Sequence, residues 1–311
     1  MKAVRRSGEG IEVVEVAPPT GAGVRVRVRS SGICGSDLHL LRSDFPMAHT
    51  LGHEIAGHTP DGTAVAVEPV TPCGACPPCR KGDYNLCELG SEMVLGVAAD
   101  GGMAEELLVP ERCLVPLPAG VSPAEACLVE PLAVAIHGLR RARLRGDQRA
   151  VVIGAGSIGL CAVAGVAAAG AEVAAVARHD AQREAAARLG AREIEGSYDL
   201  AIDASGTRSG LARGLELCRP GGTLLLVGSY WDGFELSGME LCLKEINVVP
   251  ASMYGRDGAA RDIDVAASTL ALHPGIADAI ITHRYPLEAA EEAFRTAADR
   301  SAGAIKVVLE P

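Results

Sequence analysis

The chain has 311 residues, with 29 basic and 39 acidic side chains and a formal net charge of −10. This negative charge disfavours nucleic acids and anionic membranes as partners, because their phosphates would be repelled. Aromatic residues make up 3% of the chain, too few for a series of base-stacking platforms. A hydrophobic fraction of 48% with 22% charged residues is typical of a folded protein, and the length indicates two packed domains.

Residues 150–171 are uncharged and long enough for a transmembrane helix to be considered. The segment begins with Val and Ile and continues with Ala and Gly, which favours a buried strand followed by a packed helix. No apolar signal segment follows Met1–Arg6, so we expect a cytoplasmic protein without a membrane partner. In that setting, clustered cysteines are expected to bind metal or to react as thiols before they form disulfides.

The first third of the sequence is rich in short strands. Residues 24–29 alternate apolar and charged side chains, as a half-buried strand does, and 12–16 and 63–67 are similar runs. Residues 71–90 are different, because Pro, Gly and Cys dominate and no periodicity remains. These residues predict a loop that needs a bound metal or a covalent cross-link to be ordered.

From about Arg149 onward, apolar strands alternate with Ala-rich helices. This alternation indicates βαβ units and a parallel sheet of the α/β class. The predicted strands are 150–153, 173–176, 200–204 and 223–227, followed by a helix after Asp262, a strand at 280–285, a helix at 287–298 and a final strand at 304–309.

Four cysteines in the 71–90 loop have the spacing C-x2-C-x2-C-x7-C. Four thiolates matched to one zinc ion make a closed structural site, and short spacings let the sulfurs converge from a tight turn. Two disulfides or an iron–sulfur cluster are the alternatives. Arg80 and Lys81 are the loop's only basic residues, which argues against a zinc module that binds nucleic acid. The predicted ligands are Cys73, Cys76, Cys79 and Cys87.

A second group of ligand-type residues is spread along the chain. Cys34 and His53 are nineteen positions apart, so only tertiary folding can bring them together. Glu130 could complete a Cys–His–Glu set, and three protein ligands leave a fourth position open for chemistry. Each residue also has an ordinary explanation, His53 as a satisfied core histidine and Glu130 as an acid at a helix start.

Residues 151–159 read V-V-I-G-A-G-S-I-G, which places G-x-G-x-x-G after a predicted strand and before an Ala-rich helix. In this context Gly154 makes the turn, Gly156 admits a pyrophosphate, and Gly159 lets helix and strand pack closely. The helix N-terminus, at Ser157 and Ile158, then faces the phosphates. The alternative is a Gly-rich packing turn without a ligand.

The second predicted strand of this region ends at Ala177, where an NAD-specific site has Asp or Glu to bind the ribose 2′-hydroxyl. Arg178 follows, and a guanidinium can bind a 2′-phosphate through two hydrogen bonds. We therefore predict NADP(H) in preference to NAD(H), with His179 as a further contact. In the alternative, Asp180 takes the acidic role after a shift in register.

From end to end the chain resembles the zinc-dependent medium-chain dehydrogenase/reductase family of alcohol and polyol dehydrogenases. The resemblance implies a doubly wound parallel Rossmann sheet over 137–263. It also implies a β-rich GroES-like catalytic domain over 1–136 and 264–311, with a zinc lobe at 71–90. Besides the glycine and cysteine motifs, it is carried by G-I-C-G-S-D-x-H at 32–39, G-H-E at 52–54, D-G-G-M-A-E at 100–105 and E-P-L at 130–132.

The same resemblance assigns two zinc ions to each chain. The structural ion lies in the cysteine lobe, and the catalytic ion is held by Cys34, His53 and Glu130. Glu54 is then a neighbour that can approach the catalytic metal, and Asp37 orients His53 through its other ring nitrogen. A glutamate as third ligand resembles the polyol, threonine and butanediol branch.

Three further positions match functional positions of the family. Ser36 and His39 correspond to a relay that carries the alcohol proton away, and Ser205 lies in a turn beside the nicotinamide half of the cofactor. The resemblance implies a homodimer or homotetramer that transfers a hydride between NADP(H) and a secondary alcohol or polyol, with a small molecule as its only partner. An NAD(H)-dependent polyol, amino-alcohol or threonine-type dehydrogenase is the alternative, and a catalytically silent zinc-containing nucleotide-binding relative is another.

Two segments are shorter than the family pattern. Residues 190–198 leave little room for the helix that relatives insert before the next strand, and the linkage 57–64 is also trimmed. We therefore expect a compact family member whose adenine pocket and oligomer contacts differ at their outer edges.

Overall fold

The computed structural model of the protein describes residues 1–8, 10–231 and 233–311, with the backbone alone at Arg300. The chain forms two compact units. The first contains 1–130, 255–277 and 281–311, and the second contains 131–254 and 278–280. The sequence places the boundaries at 136/137 and 263/264 instead. The difference at the first boundary arises because one helix, Val129–Arg141, begins in the first unit and continues in the second.

The described strands and helices are as follows. In chain order the strands are β1 (Lys2–Ser7), β2 (Gly10–Glu15), β3 (Val24–Gly32), β4 (Glu54–His58), β5 (Ala64–Val67), β6 (Glu106–Val109), β7 (Leu114–Pro116), β8 (Arg149–Ile153), β9 (Glu172–Val176), β10 (Tyr198–Asp203), β11 (Cys218–Leu226), β12 (Asn247–Pro250), β13 (Arg256–Asp257), β14 (Ala260–Arg261), β15 (Ile281–Pro286) and β16 (Lys306–Glu310). The helices are α1 (Gly35–Leu41), α2 (Pro77–Lys81), α3 (Val129–Arg141), α4 (Ser157–Ala168), α5 (Asp180–Arg188), α6 (Arg208–Leu217), α7 (Gly238–Leu243), α8 (Asp262–Leu272), α9 (Gly275–Ile280) and α10 (Ala290–Ala298).

The first unit is built around a seven-stranded sheet of order β15-β16-β3-β4-β5-β7, with β6 also paired to β3. The predicted alternation at 24–29 forms the first part of β3, where Val26 and Val28 are buried and Arg27 and Arg29 are exposed. Strand β3 bonds β4 on one side and β16 on the other. The end of β3 at Gly32 therefore lies between Glu54, the first residue of β4, and Val308 of β16, two positions before Cys34.

The second unit contains a five-stranded parallel sheet of order β12-β11-β10-β8-β9. This confirms the predicted α/β class with a Rossmann-type parallel sheet. In the six-stranded order 3-2-1-4-5-6, strand 3 lies beside strand 2 at one end of the sheet. Here β9 occupies the position of strand 2, and the described residues form no strand beyond it. The place of strand 3 is marked by a single bridge between Ala174 and Arg192, as the short 190–198 segment leads one to expect.

The uncharged segment 150–171 is divided between strand β8, a glycine turn and helix α4. Residues 159–166 of α4 are buried within the second unit, so the apolar composition serves packing against the sheet. Within the described part of the chain, no helix combines the length and the apolar character needed to cross a bilayer.

Candidate metal centres and nucleotide site

The four cysteines of the 71–90 segment converge on one point. The sulfurs of Cys73 and Cys79 are 4.0 Å apart, and those of Cys76 and Cys87 are 3.9 Å apart. Four zinc–sulfur bonds of about 2.3 Å in a tetrahedron require sulfur–sulfur distances of about 3.8 Å. The observed spacing therefore fits a single tetrahedral metal ion, and the sulfurs are too far apart for disulfide bonds.

Local backbone geometry prepares these thiols to bind a metal. Helix α2 begins with two prolines directly after Cys76, and Gly82 ends it with φ +93°, which makes the tight turns that the spacing requires. The backbone N–H groups of Ala75 and Cys76 donate to the Cys73 sulfur. These bonds lower the pKa of Cys73 to about 6 and so favour the thiolate that zinc binds.

The lobe is tied to the rest of the first unit by a tyrosine and an ion pair. The Tyr84 hydroxyl lies 2.6 Å from Glu68 Oε1, and Arg261 donates to Glu68 Oε2 at 2.9 Å. Arg261 also forms a bidentate pair with Asp264. Through Glu68, the ordering of the lobe therefore depends on the segment that contains Arg261 and Asp264.

We predict that Cys73→Ser lowers the zinc content by one ion per chain and lowers the melting temperature by about 5 °C or more, because a metal bound in the lobe would contribute to its folding free energy. Metal analysis and differential scanning calorimetry measure the two effects. Cys242→Ser is the matched control, since Cys242 is exposed and lies outside both ligand groups. Two zinc ions retained in Cys73→Ser would contradict the assignment.

A second ligand group lies where β3 ends and β4 begins. One ligand atom each from Cys34, His53 and Glu54 lie within 4.8 Å of one another. Cys34 immediately precedes helix α1, and His53 immediately precedes β4. The group joins a thiol, an imidazole and a carboxylate, a donor set that suits zinc.

Helix α1 supplies the groups that hold this cluster in place. Asp37 Oδ2 accepts the backbone N–H of Cys34 at 2.9 Å, and Asp37 Oδ1 lies 3.5 Å from His53 Nδ1. One buried carboxylate therefore bonds the backbone of Cys34 and faces Nδ1 of His53, and Nε2 of His53 is left for a metal. Ser36 Oγ lies 3.4 Å from that Nε2, and His39 is exposed on the same helix. Ser36 is thus beside the ligands, and His39 reaches solvent.

Glu130 is buried but lies outside the 4.8 Å group that Cys34, His53 and Glu54 form. Burial raises the pKa of Glu130 to about 7, although the charge of His53 opposes this shift. Burial by itself lowers the pKa of His53, but Asp37, Cys34 and Glu130 raise it well above its ordinary value. Glu130 and His53 therefore act on each other's pKa, and a divalent cation between them would favour the ionised carboxylate and the neutral imidazole.

Lys306 is a member of this site that no sequence motif identified. Its ammonium group donates to both carboxylate oxygens of Glu54 at 2.6 Å and to the carbonyl of Ile33 at 3.0 Å. Three donors thus meet three acceptors. Burial by itself lowers the pKa of Lys306, but Glu54 raises it above its ordinary value. Gly32 makes the arrangement feasible, because a Cβ there would lie 2.0 Å from Glu54 Oε2.

The glycine motif of the second unit forms the turn between β8 and α4. Gly154 has φ +93°, and a Cβ at Gly159 would lie 1.8 Å from the Gly154 carbonyl oxygen. The third glycine therefore permits close helix–strand packing, as its position in the motif predicts. The Ser157 hydroxyl is buried at the helix N-terminus and has no hydrogen-bond partner among the described residues, which fits a phosphate acceptor in this place.

The tip of β9 carries the residues predicted to distinguish the two dinucleotides. Ala177 and His179 are half-buried and Arg178 is exposed, and within the described residues no side chain pairs with the Arg178 guanidinium. Arg183 donates to the carbonyls of Ala177 and Arg178 and also pairs with Asp180. The carboxylate of Asp180 is therefore engaged within the first turn of α5.

Comparison with known proteins identifies the family of the chain. The family described as alcohol dehydrogenase GroES-like domain matches 21–119, and the family described as zinc-binding dehydrogenase matches 157–268. The chain is 32% identical over 310 residues to L-galactonate-5-dehydrogenase of Escherichia coli K12, covering 90% of this chain and 89% of the relative. The GroES-like expectation for the β-rich unit is confirmed.

Solved structures extend the likeness to nearly the full length of both chains. A zinc-binding dehydrogenase from Sinorhizobium meliloti 1021 bound to NADP is 27% identical with a TM-score of 0.86, over 100% of this chain and 99% of that one. A short chain alcohol dehydrogenase from Escherichia coli CFT073 with NADH is 27% identical with a TM-score of 0.89, over the same shares. The protein is thus an alcohol and polyol dehydrogenase, and it belongs to the zinc-dependent medium-chain dehydrogenase/reductase family.

Proposed function

We propose that the protein uses two zinc ions and NADP(H) to interconvert a secondary alcohol or a polyol with the corresponding ketone or aldehyde. The observation that carries this proposal is the Cys34–His53–Glu54 group with Asp37 behind the imidazole. Cys34 and His53 with one carboxylate, for which we propose Glu130, leave the open position that is typical of catalytic zinc. The cysteine lobe supplies the second, structural ion.

The residues around the open site would divide the work as follows. Cys34, His53 and Glu130 would be the zinc ligands. Glu54 lies beside them and accepts hydrogen bonds from Lys306. A zinc ion held by these residues would supply Lewis-acid polarisation, which lowers the pKa of a coordinated alcohol. Ser36 Oγ would accept the alcohol proton while passing its own hydroxyl proton on toward the exposed His39, which would release a proton to solvent.

The proposal is tested by metal analysis followed by turnover with a panel of polyols and sugar acids. We expect two zinc ions per chain and reversible oxidation with NADP+ as acceptor. Retention of only the lobe zinc, with no turnover on any alcohol, would favour the catalytically silent nucleotide-binding relative instead.

For the cofactor, the absence of an acid at the tip of β9 and the exposed Arg178 support NADP(H). We predict that Arg178→Ala raises the dissociation constant of NADPH about tenfold, because a charge-assisted bond to the 2′-phosphate is lost. The dissociation constant of NADH should stay within about twofold, since it has no such phosphate. Titration calorimetry measures both values.

Arg192→Ala is the matched control for this variant, because Arg192 is also an exposed arginine of the second unit and pairs with Glu172. It should change neither constant. Tighter binding of NADH than NADPH by the wild type would favour the NAD(H)-dependent polyol, amino-alcohol or threonine-type alternative. That alternative requires Asp180 to leave Arg183 and bind a ribose hydroxyl.

We also propose a homodimer or homotetramer. Large apolar side chains are exposed along 231–243, and strand β12 lies at an end of its sheet. Exposed apolar side chains of this size are typical of a contact surface. Light scattering on the purified protein tests the assembly, and a monomer at micromolar concentration would contradict it.

A further inference from the structure

A buried carboxylate outside the metal centres lies at the end of β10. Asp203 is 0% exposed, and its Oδ1 accepts the Ser205 hydroxyl at 2.7 Å and the Ser205 N–H at 3.2 Å. Its Oδ2 accepts the hydroxyl of Tyr230 at 2.6 Å. All these donors are neutral, and no cation pairs with Asp203 in the described part of the chain. A buried carboxylate of this kind depends strongly on each bond that it accepts.

Tyr230 belongs to a turn that packs against the turn after β10. The main-chain oxygen of Asp203 accepts the N–H of Gly228 at 2.9 Å. A Cβ at Gly206 would lie 2.4 Å from the carbonyl oxygen of Ser229. The turns 204–206 and 228–230 are therefore in direct backbone contact. The hydrogen bond from the Tyr230 hydroxyl to Asp203 is a further link between them.

The same turns border the glycine motif. A Cβ at Gly154 would lie 2.9 Å from Ser205, so the turn 204–206 also touches the turn after β8. The strand order reverses between β8 and β10, and ligands of such sheets bind across that point at the carboxyl ends of the strands. With the adenosine half beside Arg178 at β9, the other half of a dinucleotide falls on the side of β10 and β11.

We infer that Tyr230 is a positioning residue for the nicotinamide half of the cofactor. Its hydroxyl, held by the buried carboxylate of Asp203, fixes the turn 228–230 against the turn 204–206 before the cofactor binds. The inference rests on the proposed function, because it needs a dinucleotide in this site. Loss of the hydroxyl leaves the turn less ordered, so binding of the nicotinamide half must then order it.

The test compares Tyr230→Phe with the wild type for an intact dinucleotide and for its adenosine half. NADPH and 2′,5′-ADP are the probes, and NADH and AMP are titrated in parallel. We expect Tyr230→Phe to raise the dissociation constant of the dinucleotide about five- to tenfold, the upper part of the range for the net contribution of one hydrogen bond. The constant of the adenosine fragment should not change. In turnover the KM for the cofactor should rise in the same proportion while kcat at saturation stays constant.

Tyr285→Phe is the matched control, because it removes a tyrosine hydroxyl that bonds Thr296 at 2.9 Å in the first unit. It should leave every cofactor constant unchanged. Equal weakening of dinucleotide and fragment in Tyr230→Phe, or no weakening of either, overturns the inference. If the wild type binds neither dinucleotide, the proposed function fails first. The single tryptophan of the chain, Trp231, follows Tyr230 directly and provides a fluorescence signal for the titrations.

Discussion

Cys34→Ser is expected to lower kcat by about 10³-fold or more, because Lewis-acid activation of an alcohol supplies several kcal/mol of transition-state stabilisation. The variant should contain one zinc ion per chain where the wild type contains two. A serine hydroxyl keeps the size of the side chain but is a much weaker zinc ligand than a thiolate. Metal analysis and steady-state kinetics on the same preparation measure both effects.

The fold should survive this change. Cys34 immediately precedes α1, and its backbone N–H donates to Asp37 in the first turn of that helix. Serine at this position keeps the same backbone hydrogen bond. The melting temperature and the dissociation constant of the cofactor should therefore match those of the wild type. Cys242→Ser again serves as control and should retain two zinc ions and full turnover. Undiminished kcat in Cys34→Ser would show that the catalytic zinc is held elsewhere.

The contrast between Cys34→Ser and Cys73→Ser separates the two metal roles. One variant should lose turnover without losing thermal stability, whereas the other should lose thermal stability first. This separation follows from the surroundings of the two groups. The cysteine lobe consists of loops and short helical turns, and Tyr84 bonds it to Glu68 and to the carbonyl of Gly255. The Cys34 group instead lies beside the paired strands β3, β4 and β16.

The features that the sequence predicts are those whose residues lie close together along the chain. The glycine motif, the alternation at 24–29 and the cysteine spacing each lie within about twenty residues, so periodicity and spacing alone reveal them. Strand β4 was not predicted, because Glu54–Gly57 are all buried. A strand buried on both faces has no alternating pattern that distinguishes it.

The residues that sequence reasoning missed are brought together by pairing of distant segments. Lys306 and Glu54 are 252 positions apart, and they meet because β16 and β4 both pair with β3. Tyr230 and Asp203 meet because the ends of β10 and β11 are neighbours in the sheet. The lysine in a final apolar strand was the available signal, since a charge between buried positions needs a partner. The sequence does not identify which acid that partner is.

Lys306→Met should destabilise the protein by about 3–5 kcal/mol, the range for removing one partner of a buried ion pair. The side chains of Lys306 and Glu54 are 2% and 1% exposed. Methionine fills most of the lysine volume, so the loss comes mainly from leaving the Glu54 carboxylate and the Ile33 carbonyl without their donor. Urea unfolding followed by circular dichroism measures the change in the free energy of unfolding.

Two comparisons decide whether the buried charge is the cause. Lys2→Met removes an exposed lysine that pairs with Glu288 and should leave the free energy of unfolding unchanged, because exposed pairs contribute little. Lys306→Met combined with Glu54→Gln removes both charges, so it should recover a large part of the loss seen in Lys306→Met alone. A double variant as unstable as the sum of the two single variants would mean that packing around β16, and not the unpaired carboxylate, determines the cost. Recovery would instead establish that Lys306 holds Glu54 as an anion beside Cys34 and His53, where its negative charge favours a bound cation.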